Sequence, residues 1–150
     1  MTQTFEYLLE RTTSRQWRGF LSALAEEFQS QLGAPELREL MQRIGQRFAA
    51  AHPLPPCETT DELTHALNAL WRECDWGLVE LTDEVNCLRI VHHYAPLTAF
   101  GAAALGWTPA FLEGSYQRWL SILGATDLAV QQATEFDTEA VVEFRLERSA

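Results

Sequence analysis

The sequence predicts an α+β fold: about five helices with a helical N-terminal half, completed by two antiparallel β-hairpins. Three observations carry this. Apolar residues recur at helical spacing in three successive stretches before residue 75. Beyond that point the segments shorten and become rich in β-branched and apolar residues. Helices and strands therefore come in blocks, which favours antiparallel pairing over a doubly wound parallel sheet. No internal repeat of about 20–50 residues is visible.

Residues 1–16 stand apart as an N-terminal arm, with 17–150 as a single domain. In the arm, Phe5, Leu8 and Leu9 precede a polar Arg11-Thr12-Thr13-Ser14 stretch. A helical turn or an arm packed on a neighbour is expected. From Trp17 the helical period is clear: Trp17, Phe20, Leu21, Leu24, Phe28 and Leu32 share one stripe, expected to face a core. Gly33 is expected to end that helix at positive φ. Pro35 suits the first turn of the next, where its missing N–H costs nothing. The inner stripe there is Leu37, Leu40, Met41, Ile44 and Phe48, and the short link predicts an antiparallel helical hairpin.

Three prolines in His52-Pro53-Leu54-Pro55-Pro56-Cys57 exclude regular helix and make a stiff connector. Thr59-x-x-Glu62 reads as a capping box opening a helix that turns Leu63, Ala66, Leu67, Leu70, Trp71 and Cys74 inward. Residues 76–82 and 85–94 form a hairpin about Asp83-Glu84, stopped by Pro96. The Ala-rich stretch 97–105 is expected as a short helix. Thr108-Pro109 is expected to cap a longer one with Leu112, Tyr116, Trp119, Leu120 and Leu123 inside and Gly124 as its stop. Residues 126–134 and 141–147 make the second hairpin. Its last arm alternates Val142/Phe144/Leu146 with Glu143/Arg145/Glu147.

A chain of 150 residues, 47% apolar and 21% charged, can bury a real core without disulfides. Cys57, Cys74 and Cys87 are odd in number and lack metal or redox spacing, so they read as ordinary thiols. The net charge of −10 argues against nucleic acid and against anionic membrane surfaces. Arginine supplies all eleven basic residues, and these do not cluster. No segment reaches the ~20 apolar residues of a membrane span, so membrane insertion is not expected. The first ten residues lack the cationic start and apolar run of a secretory signal. A cytoplasmic location follows as the expectation.

Catalytic motifs are not found. Ser115 sits in Glu113-Gly114-Ser115-Tyr116-Gln117, which is no nucleophile elbow. Gly-rich phosphate loops are absent, and without lysine there is no Schiff-base or lysine-base chemistry. His92 and His93, adjacent on a strand, point to opposite faces and do not share a metal. Neither a metal nor a cofactor is expected. Glu113 beside Tyr116 is best read as a first-turn acid favoured by the helix dipole. Five tryptophans, eight phenylalanines and three tyrosines supply a large packing reserve, and Phe5 and Tyr7 are the rings a core explains least.

Three patches then carry a resemblance: Leu67-Asn68-Ala69-Leu70 followed by Trp76-Gly77, Leu88-Arg89-Ile90-Val91-His92, and Leu112-Glu113-Gly114-x-Tyr116-x-Arg118-Trp119. In this order, and in a chain of this length, the patches resemble the cellulose synthase operon protein D family of bacteria over roughly residues 17–148. The resemblance implies a non-catalytic accessory subunit of the cellulose synthase complex that forms a homo-octamer, a cylinder of dimers. Its passages would assist export and crystalline alignment of β-1,4-glucan. It implies as partners a second copy of the chain, the catalytic synthase complex, nascent glucan and a proline-rich accessory protein. It also raises the periplasm as the alternative to the cytoplasmic face of the inner membrane.

Under that resemblance the N-terminal segment lines the passages. Thr2, Gln3, Thr4, Phe5 and Tyr7 supply the hydroxyl, amide and aromatic groups a neutral glucan needs. Trp76, Gly77, Glu113, Gly114, Tyr116, Arg118 and Trp119 are assigned to fold and assembly. Gly114 in mid-helix implies a close approach by another helix, with a subunit contact as one source. The alternative function is a small-ligand-binding sensor or tethering domain of α+β type. A carbohydrate-active enzyme is a third reading.

Overall fold

A computed structural model describes residues 3–148. Four helices come first: α1 (Gln3–Thr12), α2 (Arg15–Gln31), α3 (Ala34–Ala51) and α4 (Thr60–Cys74). The hairpin β1 (Leu78–Asp83) and β2 (Leu88–His93) follows, then two 3₁₀ turns at Leu97–Phe100 and Ala102–Ala104. Helix α5 (Ala110–Ile122) leads to a second hairpin, β3 (Leu128–Gln132) and β4 (Val141–Arg148). The two expected hairpins merge into one antiparallel sheet of order β1-β2-β4-β3, because β2 pairs with β4 from Leu88↔Leu146 to His93↔Val141. Five helices and a four-stranded antiparallel sheet bear out the α+β class.

The arm is a helix of its own, leaning on the body through buried Leu9 and half-buried Phe5. Ser14 starts α2 by accepting the Gln16 N–H (3.2 Å). The capping box of α4 forms, with a shift. Thr59 Oγ1 accepts the Glu62 N–H (3.1 Å), while the Glu62 carboxylate reaches back to the N–H of Glu58 (2.7 Å). Asp75 closes that helix in the left-handed region, at φ 56°.

Helix α5 is the centre of the molecule. Every residue from Ala110 to Tyr116 is buried, since α3 covers one side and the sheet another. A helix apolar on nearly all sides is what a central position requires. The crossing with α3 is a backbone contact. A Cβ on Gly114 would overlap the carbonyl of Gln42, with the Gln42 Cα only 2.7 Å away; a Cβ on Gly45 would overlap the Phe111 carbonyl and lie 2.8 Å from the Ser115 nitrogen. The Ser115 hydroxyl also lies 3.1 Å from Gly45 O. The helix that Gly114 accommodates is therefore α3 of the same chain.

On β4, Val142, Phe144 and Leu146 turn into the core as the alternation requires. On the other face Arg89 and Arg145 stand opposite one another in register. Glu143 bonds Arg89 Nε and lies 3.6 Å from Arg145 Nη2, offsetting their repulsion.

Several local expectations are corrected. Helix α2 makes only slight contact with α3, so the two do not form a packed hairpin. It lies instead on the 3₁₀ turns, through buried Ala25, Ser22 donating to Ala99 O (3.3 Å) and Gln29 donating to Ala103 O (3.1 Å). This small, polar contact leaves much of the expected core stripe outside. Trp17 and Phe20 are each 56% exposed, and Leu32 is exposed too. Gly33 is extended (φ −78°) and starts α3 as its N-cap, whereas Gly124 does take positive φ, 114°, after α5. The stretch 97–105 is not one helix, because Gly101 at φ 94° splits it. Thr108 does not cap α5; its hydroxyl donates to Ala104 O (2.9 Å).

Candidate functional site

The residues singled out by sequence divide into three places. The first is a buried polar relay beneath the sheet. Phe144 and Trp71 pack around Tyr116 on α5, and His92 reaches it from β2. His92 Nε2 faces the Trp76 carbonyl at 2.7 Å, an acceptor only, so that nitrogen carries the hydrogen and Nδ1 accepts from the Tyr116 hydroxyl (2.6 Å). Tyr116 in turn accepts from Trp71 Nε1 (3.1 Å). Every side-chain polar atom of this relay is satisfied.

Burial pushes the His92 imidazole down to about 4, against the pull of the Trp76 carbonyl, and its neighbour His93 adds to the fall. Burial likewise holds the Tyr116 phenol well above its ordinary value. Both groups are neutral across physiological pH. Gly77, at φ 87°, lets this corner close, since a Cβ there would overlap the His93 carbonyl. Aromatic rings seal it: Trp119 stands edge-on to Trp71 at 5.5 Å, and Trp76 lies 4.9 Å from Phe111. Trp119 Nε1 also donates to His52 O (2.9 Å), pinning the proline connector.

The second place is a knot around Glu113. Its carboxylate accepts from Arg38 Nη2 (3.0 Å), from Gln42 Nε2 and from the Gln132 N–H (2.7 Å), tying α5 to α3 and β3. It is 7% exposed. The dipole of the first turn is therefore the lesser part of its role. Arg118, from the same motif, is exposed.

The third place is α1. Thr2 lies outside the described residues. Gln3 and Thr4 are exposed in the first turn, and Tyr7 is exposed, accepting a hydrogen bond from Arg11 Nη1 (2.7 Å). Phe5 does not share their face. It turns inward and meets Tyr94 edge-on at 5.4 Å. Phe5 borders the same groove as Gly77 of the motif, but among the described residues no reacting constellation joins the arm to the motif.

Tyr94 was not among the residues predicted from sequence. It follows β2 at φ 67°, rare for a bulky side chain, with its N–H bonded to Ala140 O (2.7 Å). Asn68, which stands in the first resemblance patch, was given no role from sequence. Its amide bonds both Val79 N (2.7 Å) and Val79 O (3.0 Å), which fastens α4 to the edge of β1. The Cys57 thiol is raised by burial and by Glu62, and Cys74 by burial, Glu73 and Asp75. Both remain weak nucleophiles. Among the described residues, no group of three or more His, Cys, Asp or Glu side chains is placed to hold a metal ion. Nor is any described helix long and apolar enough to cross a membrane.

Compared with known proteins, residues 3–147 match the family model for the D subunit of cellulose synthase. The chain belongs to that family. Cellulose synthase operon protein D of Komagataeibacter xylinus is 37% identical over 105 residues, covering 68% of this chain and 67% of that protein. The same-named protein of Komagataeibacter sucrofermentans is 35% identical over the same shares. The resemblance drawn from Trp76-Gly77 and the segment 112–119 is thereby established, and of that segment Leu112, Tyr116 and Trp119 lie in the core. Among solved structures, a vinyl-4-reductase family protein of Methanocaldococcus jannaschii superposes with a TM-score of 0.49 at 12% identity. That alignment covers 100% of this chain and 98% of that one.

Proposed function

We propose that the chain is a non-catalytic accessory subunit of the bacterial cellulose synthase complex, assembling with copies of itself into a scaffold with passages for β-1,4-glucan. Membership of the cellulose synthase operon protein D family gives the role in cellulose synthesis. The observation that carries the assembly is the outer face of α2. Trp17 and Phe20 stack edge-on at 5.7 Å while each remains 56% exposed. Paired aromatic rings on an exposed apolar stripe are the anchors that subunit interfaces favour.

A role without chemistry of its own is supported by the way the reactive groups are used. His92 and Tyr116 are held neutral in a closed relay, Glu113 is taken up by three donors, and the Ser115 hydroxyl is engaged by Gly45 O and Phe111 O. In this reading the exposed face of α1, with Gln3, Thr4 and Tyr7, fronts the passage. A neutral polymer is served there by amide, hydroxyl and aromatic groups and needs no charge funnel. The protein works in the cytoplasm beside the inner-membrane synthase. A proline-rich protein joining the assemblies belongs to the same reading.

Deleting residues 2–14 tests it, with oligomer mass and cellulose yield scored separately. Loss of yield with the octamer intact supports an arm that fronts glucan; loss of both makes the arm structural. Trp17→Ser with Phe20→Ser is expected to give monomers by light scattering with helix content unchanged. An octamer surviving both changes would remove α2 as the contact face.

A further inference from the structure

An open sheet offers the backbone of its edge strands to any extended chain, and a second copy of the same protein is the nearest source of one. In this sheet the edges are β1 and β3. Both are occupied by side chains from the helices beside them.

On β1, the Asn68 amide of α4 accepts from the Val79 N–H (2.7 Å) and donates to the Val79 C=O (3.0 Å). Two bonds exchanged with a single residue are the pattern of an antiparallel neighbour. On β3, the Gln117 amide of α5 donates to Leu128 O (3.2 Å) and accepts from the Val130 N–H (2.7 Å). Bonds to residues two apart are the way a parallel neighbour grips a strand. Glu113 takes the next outward N–H, that of Gln132 (2.7 Å). Each amide thus stands where one residue of a joining strand would stand.

The alternation of the ladder turns Leu81 outward with Val79, and among the described residues no bond to its N–H or C=O is formed on that edge. Antiparallel joining of two β1 strands about Leu81 would set Val79 of each copy opposite Asp83 of the other. Asn68 therefore blocks both outer pairs and leaves only the central one. Exposed Glu80, Asp83 and Glu84 add like charge along the same stretch.

We infer that Asn68 and Gln117 are guards that keep copies of this chain from joining sheet to sheet, so that self-association is left to the helical faces. This restriction goes beyond the α2 contact and does not depend on it.

The test is Asn68→Val and Gln117→Leu in the full chain. Light scattering reads the mass, infrared absorption reads strand pairing between copies, and near-ultraviolet circular dichroism checks that the packed rings are native. Asn68→Val should at least about double the particle mass, with new strand pairing and a native ring signal. Asn68→Asp keeps an acceptor for the Val79 N–H and adds a charge to the edge, so it should stay at the parent mass. Adding Leu81→Pro to Asn68→Val should bring the mass back, since proline removes the outward N–H without touching a bond to β2. Gln117→Leu should join copies through β3 in the same way. Folded variants at the parent mass would overturn the guards, as would association that Leu81→Pro leaves intact. If Asn68→Val loses the ring signal, Gln117→Leu decides alone, and a folded, unjoined chain overturns the guards. In a Trp17→Ser, Phe20→Ser background the gain in mass should persist; a gain that vanishes there would assign the association to α2 and overturn the guards.

Discussion

Lowering the pH should loosen this protein through one residue, His92. Its folded value of about 4 lies below the ordinary 6.5, because ionisation would strand a charge among Trp71, Tyr116 and the Trp76 carbonyl. The unfolded chain therefore binds the extra proton first. Stability from this group is complete above pH 6.5 and is lost as the pH falls from 6.5 toward 4. At pH 5.5, about one pH unit below the unfolded value, the loss is about 1 kcal/mol; by pH 4 it approaches ~3 kcal/mol.

Carboxylates titrate too, so the comparison needs a variant that removes only the imidazole. His92→Gln keeps a donor for the Trp76 carbonyl and an acceptor for the Tyr116 hydroxyl. Denaturant unfolding at fixed protein concentration, at pH 7.5 and pH 5.5, stays above the isoelectric point of about 4.8. The stability gap between parent and variant should move by about 1 kcal/mol in the variant's favour at the lower pH. A gap that does not change with pH would refute the closed neutral relay, as would one that moves in the parent's favour.

Two further outcomes follow from the α3–α5 contact. Gly114→Ala should cost at least ~2 kcal/mol despite alanine's better helix propensity, because the two backbones must part; thermal unfolding reads it directly. Glu113→Ala should cost about 2–4 kcal/mol by leaving three buried or half-buried donors without an acceptor, and Glu113→Gln should recover only part, as seen in denaturant midpoints.

Local pattern revealed most of the elements, and long-range pairing was where it ran out. The stripes of α3 and α4 and the alternation of β4 are set by neighbours a turn or two away, so they were legible, except that Ile44, expected inside, is exposed while Gly45 beside it is buried at the α5 crossing. The stripe of α2 was legible too, but periodicity reports an apolar face and not what covers it. Ser22, Ala25 and Gln29 made the contact instead, and they look like filler in a one-dimensional pattern.

The site was less legible than the fold. His92, Trp71 and Tyr116 come from three elements, and their polarity is decided only by the Trp76 carbonyl. Glu113 carried a usable signal, since Arg38 and Gln42 are four apart on one helix and can converge on a single carboxylate. Tyr94 carried none: a left-handed tyrosine is invisible until the chain around Ala140 is in place.

The glycine crossing also decides where this protein can change shape. Two helices, each with a glycine set against a carbonyl of the other, cannot slide past each other without first lifting apart, so α3, α5 and the sheet move as one block. Any give in an assembly of such subunits must then come from the parts that rest lightly on the block, α1 and α2. A stiff body with compliant outriggers suits a packing unit: neighbours adjust at the joints while the spacing between them stays constant.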